Sequence, residues 1–288
     1  YFALKKDVKV PSSFVIAPAD AVNKERADLV LTGDPEADRA AIQEAIDDLH
    51  NKRESTGIAI RIDFLGGTID VGTKTDGNAI VIPLGYDNIH LYGNGVKIAG
   101  YVEMYSVFTN NADNVIIDGF NVNNSSNYGD GLSNSGTNCT IIGNTCSSSN
   151  GNGLYNSGTN CTIIGNTCSS INYGLYNTGT NCTITGNTCS SINYGLSNTG
   201  TNCIITGNTC SGKYGLYNTG TNCTIIGNTC SSEYDYGLYN GSTSTTDKCI
   251  ITGNICLNGG ISVKSGTCLP ATQSAMADVN TGTITIRP

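Results

Sequence analysis

The nine-residue frame Asn138-Cys-Thr-Ile-Ile-Gly-Asn-Thr-Cys146 recurs at Asn160–Cys168, Asn181–Cys189, Asn202–Cys210 and Asn222–Cys230, and more loosely at Lys248–Cys256. Its first cysteines fall at 139, 161, 182, 203, 223 and 249, so the period is 20–26 residues. Self-similarity of that length marks a solenoid, in which one short coil cannot bury its own apolar face and needs neighbours above and below. Degenerate versions of the frame reach back to Asn114–Val122, Asn88–Val96 and Arg61–Ile69.

Superposing the frames gives columns. The first reads Ile62, Ile89, Val115, then Cys139, Cys161, Cys182, Cys203, Cys223, Cys249 and Cys268. Two residues on stand Phe64, Leu91, Ile117, Ile141, Ile163, Ile184, Ile205, Ile225 and Ile251, and four residues on stands glycine, from Gly66 to Gly253. Alternation with period two predicts a strand with one buried face, and the glycine marks the corner where the chain bends. A second inward column follows as Ile69, Val96, Val122, Cys146, Cys168, Cys189, Cys210, Cys230 and Cys256. A third runs from Leu132 through Leu154, Leu175, Leu196, Leu216 and Leu238 to Ile261. Three strands per coil, each feeding one apolar column, predict an all-β, single-stranded right-handed parallel β-helix. About ten coils at ~4.8 Å would make a rod roughly 45–50 Å long.

Asparagines repeat in the same way, at the corner (Asn144 to Asn254) and after the leucine column (Asn134 to Asn240). Stacked identical amides can hydrogen-bond from coil to coil. Asp34-Pro35 is a good helix start, and Pro35–Leu49 carries Ile42, Ala45, Ile46 and Leu49 at helical spacing. The expected organisation is an N-terminal arm and capping helix over 1–57, then the β-helix over 58–288, closed by a strand in Thr281–Pro288.

The stretch from Ser13 to Ile46 contains Phe14-Val-Ile-Ala-Pro-Ala-Asp20, Ala27-Asp-Leu-Val-Leu-Thr-Gly-Asp34 and Ala41-Ile-Gln-Glu-Ala-Ile46. It resembles the opening segment of pectate-lyase-like right-handed β-helix repeat proteins of prokaryotic surfaces and phage tails. The resemblance extends to about Cys268 and implies the fold. It implies no single activity, because that superfamily holds lyases, hydrolases, epimerases, adhesins and virion spikes.

Charge narrows the partners. The net charge is −8, and no Lys/Arg cluster offers a path for a phosphate backbone, so nucleic acid is not expected. No apolar run is long enough to cross a bilayer and no signal peptide is evident, while Tyr1 in place of Met is consistent with removal of a leader or tag. Most Asp and Glu precede residue 131, and Leu132–Asn258 is almost uncharged. Glycoside cleavage needs two carboxylates, or a base with a charge-neutralising partner, facing one sugar. The outward positions of the cysteine-bearing coils hold only Thr and Ile. The early coils offer His90, Tyr92, Asp118 and Asp130, with Lys97 and Asp113 nearby, as the one acid/base neighbourhood; ordinary solvated surface is the preferred reading of them.

Each cysteine fills a place held earlier by Val or Ile, so burial as a small hydrophobe accounts for it. Both columns begin together, which fits a within-coil disulfide if the geometry allows one. Free thiols are the preferred reading, Cys268 among them. The spacings make no zinc site, and no metal or cofactor is expected. Tyr155, Tyr176, Tyr217 and Tyr239 follow the leucine column, and Tyr128, Tyr173, Tyr194, Tyr214 and Tyr236 precede the glycine before it. Such a stripe can stack on sugars, pack against another rod, or stiffen its own. Glycosylation sequons stand at Asn123, Asn124, Asn138, Asn160, Asn181, Asn222 and Asn240.

The functional expectation is a non-enzymatic, extracellular, cell-surface or virion-exposed rod, structural or adhesive, partnered by itself as a homo-oligomer or filament or by surface glycans. The alternative is a polysaccharide-active enzyme with its site on the early coils.

Overall fold

The computed structural model describes residues 13–56, 60–103, 105–241, 249–264 and 284–287. Three parallel sheets of 11, 9 and 10 strands run the length of a right-handed β-solenoid. Turn one comprises Ile60–Phe64, Thr68–Lys74 and Ile80–Ile82, and turn nine ends at Ile261–Lys264. The nine strands of the second sheet give eight steps from turn to turn, fewer than the ten or so coils expected. The further coil expected at Cys268 lies outside the described residues. Strand Ile284–Arg287 adds one step to the third sheet, pairing with Ile261–Lys264.

Like sits on like. Ile117, Ile141, Ile163, Ile184, Ile205, Ile225 and Ile251 are successive register partners in the first sheet. All but the last are fully buried, and burial of each stabilises by about 1.5–3 kcal/mol. The columns differ from expectation in the first two turns. Ile60, not Ile62, pairs with Ile89, and Ile62 pairs with Leu91. Phe64 therefore takes the place of Gly93, and Gly66 leaves the glycine column. In turn two Asn94 and Gly95, both at positive φ, lengthen the corner. Ile98 rather than Val96 consequently pairs with Val122.

The interior carries two amide ladders. After the leucine column, Asn110, Asn134, Asn156, Asn177, Asn198 and Asn218 are fully buried, and each Nδ2 donates to the Oδ1 of the next at 2.6–2.7 Å. The same Nδ2 atoms also approach a thiol of the coil above: Asn134 to Cys161 at 3.4 Å and Asn156 to Cys182 at 3.5 Å. Each of these thiols donates to a glycine carbonyl of the turn below, Cys161 to Gly136 at 3.2 Å and Cys182 to Gly158 at 3.3 Å. Ile82 of turn one and Val115 at the start of turn three hold the corresponding places one coil earlier, and Asn110 and Cys139 replace them as a pair. These cysteines are hydrogen-bond partners of a buried amide, a role the sequence reading did not weigh. The close stacking also explains a glycine: a Cβ on Gly179 would lie 2.0 Å from the Gly158 carbonyl oxygen.

The corner ladder, Asn144 to Asn254, occupies the inward place of Phe120. There Asn166 Oδ1 accepts both the backbone N–H of Asn144 at 2.9 Å and its Nδ2 at 3.1 Å, and the pattern repeats upward. All twelve described cysteines are buried, and none is joined in a disulfide. In the second cysteine column a hydrogen bond to Cys168, together with burial, holds the Cys146 thiol well above its ordinary range, so it stays protonated.

The N-terminal end is covered by more than the expected helix. Phe14–Ala17 pairs with Ile60–Phe64 and Leu29–Val30 pairs with Phe14–Ala17, extending the first sheet. The helix runs over Pro35–Thr56, beyond Leu49, because no breaker intervenes before Gly57. Asp34 Oδ1 caps it by accepting the Ala37 N–H at 2.8 Å, and Ile42, Ile46 and Leu49 are buried against the core. Arg39 donates to the Val71 carbonyl and Gln43 Oε1 accepts the Val81 N–H at 3.3 Å, so the helix also satisfies the open edges of the other two sheets.

Replacing Asn177 by Ala strands the amides of Asn156 and Asn198 in a dry interior. Chemical denaturation should show a loss of about 2–4 kcal/mol, against less than about 0.5 kcal/mol for Ser190→Ala on the outer face. In the native protein the twelve described thiols should resist a thiol reagent, and in denaturant all should react without prior reduction. A shortfall restored by a reductant would establish disulfides instead.

Candidate functional site

The first sheet brings His90, Tyr92 and Asp118 to one outward face, where Tyr92 is the register partner of Asp118. The corrected register of turn one adds two residues that sequence reasoning missed: Arg61 lies beside His90, and Asp63 beside Tyr92. The Arg61 guanidinium grips the Asp63 carboxylate through Nε at 2.9 Å and through Nη2 at 2.8 Å. It also lies 3.9 Å from the centroid of the Tyr92 ring, and the His90 ring is 3.8 Å from the same ring. Burial, and then the neighbouring Arg61 charge, lower the pKa of His90, so its imidazole is neutral at neutral pH. A neutral imidazole beside a guanidinium can accept a proton next to a charge neutraliser. Against this, Arg61 is already paired, and Asp63 and Asp118 are two steps apart, about 9.6 Å at the backbone, with Tyr92 between them.

Asp130 does not join this group. It stands at the corner entering the third sheet, where it is the counterpart of Asn152 and Tyr173. Its Oδ1 accepts both the backbone N–H and the Nδ2 of Asn152 at 2.8 Å. Burial pushes its pKa up to about 6 against the pull of those two bonds. Lys97 begins a strand of the second sheet, and Asp113 accepts the Thr137 N–H at 2.6 Å as a corner brace. Among the described residues no group of three or more His, Cys, Asp or Glu is placed to hold a metal.

The third sheet carries a slab of eight tyrosine rings: 155, 173, 176, 194, 214, 217, 236 and 239. Tyr173 and Tyr194 stack at 4.9 Å and 9°, Tyr194 and Tyr214 at 5.3 Å and 7°, and Tyr217 and Tyr239 at 4.9 Å and 6°. Where Ser197 interrupts one column, Tyr194 meets Tyr217 edge-on. Ring faces are thus covered by other rings along most of the slab, leaving edges and hydroxyls outward. Tyr128 is exposed and is not in the column; Asp130 holds that place, because the glycine before Leu132 is Gly131. A notch of about 450 Å³ lies beside the slab, at a corner that Ser211-Gly212-Lys213 makes shorter than its neighbours. Lys213, Glu233 and Tyr234 are among its lining residues; the shortened coil of 20 residues was its sequence signal.

The sequons divide by geometry. Asn138, Asn160, Asn181 and Asn222 are exposed at corners with φ of 55–57°. Asn124, bonded to the Val102 backbone, and Asn240, which accepts from Asn218 in its ladder, are fully buried, so the folded protein cannot present them for modification. Asn123 is half-buried and accepts from Ser147 at 2.7 Å.

Because the folded pKa of Asp130 lies above the unfolded value of 3.8, its contribution to stability is complete below 3.8 and is lost as pH rises through about 6. Asp130→Asn, which keeps an oxygen for Asn152, should flatten the stability profile across that window and stabilise the protein at neutral pH. Equal pH dependence in the two proteins would refute the assignment.

No protein-family profile and no curated protein sequence matches the chain. Solved structures do. The tailspike protein of E. coli bacteriophage HK620, in complex with a pentasaccharide, is 16% identical with a TM-score of 0.57, over 82% of this chain and 51% of that one. Pectate lyase Pel9A is 13% identical with a TM-score of 0.56, over 93% and 82%. The Dettilon tailspike protein is 15% identical with a TM-score of 0.49, over 88% and 65%. The chain therefore spans about half of the HK620 tailspike chain and just under two thirds of the Dettilon one. Among the described residues no helix is long and apolar enough to cross a membrane. The chain has the fold of the pectate-lyase-like right-handed parallel β-helix proteins.

Proposed function

We propose that this protein is a rigid, non-catalytic β-helical rod exposed on a cell or virion surface, with a structural or adhesive role toward glycans or further copies of itself. The observation that carries the reading is the chemistry of turns four to eight. Their outward positions on the first two sheets hold Thr, Ser and Ile, none of which transfers a proton at neutral pH. The tyrosine slab is consistent with rigidity, since its ring faces are used on one another. Burial and Asp235 push the Tyr214 phenol up to about 12, so it is a neutral hydrogen-bond partner for hydroxyl-rich ligands. The carbohydrate-related neighbours in fold, one of them holding a pentasaccharide, support a glycan as the thing met.

A second reading, a polysaccharide-active enzyme, is favoured by the Arg61–Asp63–His90–Tyr92–Asp118 cluster alone. Incubating the purified protein with pectate, alginate and other acidic polysaccharides separates the two. No new chain ends and no unsaturated product should appear. Cleavage or epimerisation that disappears in both His90→Ala and Asp118→Asn would make the enzyme reading the correct one.

A further inference from the structure

The second sheet presents an outward face that no role above uses. From turn four to turn eight Thr145, Thr167, Thr188, Thr209 and Thr229 are successive register partners, and the serines two residues on, Ser147 to Ser231, form a parallel row. The inward residue between each pair is a fully packed cysteine, so the backbone under the array is fixed. Four of the threonines are exposed and Thr229 is half-buried. No ionisable side chain interrupts either row.

Apart from Ser147, the hydroxyls of this face have no hydrogen-bond partner among the described residues. Ser148, Ser170, Ser191 and Ser232, at the adjoining corner, donate to backbone carbonyls of the preceding turn. Among the described residues the five threonine hydroxyls have no such partner, and in the serine row only Ser147 is bonded, to Asn123. Their natural partner is water. Threonine is stiff at χ1, so both its hydroxyl and its methyl recur in one orientation.

The repeat distances decide what kind of water. Along the rod the hydroxyls recur at the inter-strand spacing of ~4.8 Å, and across it at two strand rises, ~6.6 Å. Oxygen atoms on the growing faces of hexagonal ice recur at distances of closely similar size in two perpendicular directions. A rigid, regular array pre-orders its first water layer, so little further ordering remains when that layer joins a crystal. The match in charge is equally direct, since neither the face nor the crystal bears any.

We propose that the outward threonine–serine face of the second sheet binds the surface of ice crystals. It lies on a different side from the Arg61–Asp118 cluster and from the tyrosine slab, and it stands independently of either functional reading. The test is to grow ice in solutions of the purified protein and to follow crystal shape, growth below the melting point, and recrystallisation. The parent protein should facet the crystals, arrest their growth over a measurable temperature gap, and suppress recrystallisation. Thr167→Lys/Thr188→Lys should lose all three effects while keeping the parental Tm, and Thr183→Lys, on the first sheet, should keep them. Should the lysine pair fail to fold, Thr167→Val/Thr188→Val conserves shape, removes the hydroxyls and should weaken the same effects. Ice growth in the parent solution indistinguishable from buffer overturns the proposal, as does full activity in a folded double variant. Retention on an insoluble crystalline polysaccharide with ice growth untouched overturns it too.

Discussion

The structure depends on a constraint about amides in a dry place. A primary amide offers two donors and an acceptor, and burial without partners costs several kcal/mol. In this rod the amide that takes the Asn156 Nδ2 proton is the same side chain one turn away, Asn177, at 2.7 Å. That bond forms only if the turns are in register, so the ladder penalises slippage in a way that a purely apolar column would not. The thiols extend the constraint: Cys182 Sγ accepts a hydrogen bond from Asn156 and donates one to Gly158, tying its own turn to the preceding one twice through one sulfur.

This clarifies what the sequence could and could not reveal. The columns through Ile141, Ile163 and Ile184 were legible because copied frames leave one way to superpose them. In turn one the same logic failed, because Ile60, Ile62 and Phe64 are all apolar and two glycines follow; a frame shifted by two still alternates correctly. The shift hid Arg61 and Asp63 from the face of His90 and Tyr92. Tyr128 misled for a similar reason, since Gly129 and Gly131 both offer a plausible anchor and only register selects the second. The cysteines were read by volume, whereas the decisive fact was directional: an amide in the preceding turn points at the sulfur.

The two halves of the rod answer different demands. Turns one to three carry the charge, the long corners and the covering helix, and their interior is closed by large apolar groups such as Phe64, Phe108 and Phe120. Turns four to eight are nearly uniform, with small side chains inside and hydroxyls outside. The change coincides with the start of the Asn–Cys network at Asn110 and Cys139. Once the interior is held by hydrogen bonds of fixed pitch, each added turn can repeat the last, and regularity inside imposes regularity outside.

Both amide ladders also have a direction. Every Nδ2 from Asn110 to Asn218 gives its proton toward the C-terminal end, and the corner ladder from Asn144 to Asn228 does the same. Aligned bond dipoles add, as they do along a helix. The ladders are therefore electrically a vector, with amide oxygens facing the N-terminal end, or foot, and the hydrogens that join amide to amide facing the C-terminal end, or tip. Two such vectors laid in line attract when the tip of one meets the foot of the other and repel when turned tip to tip.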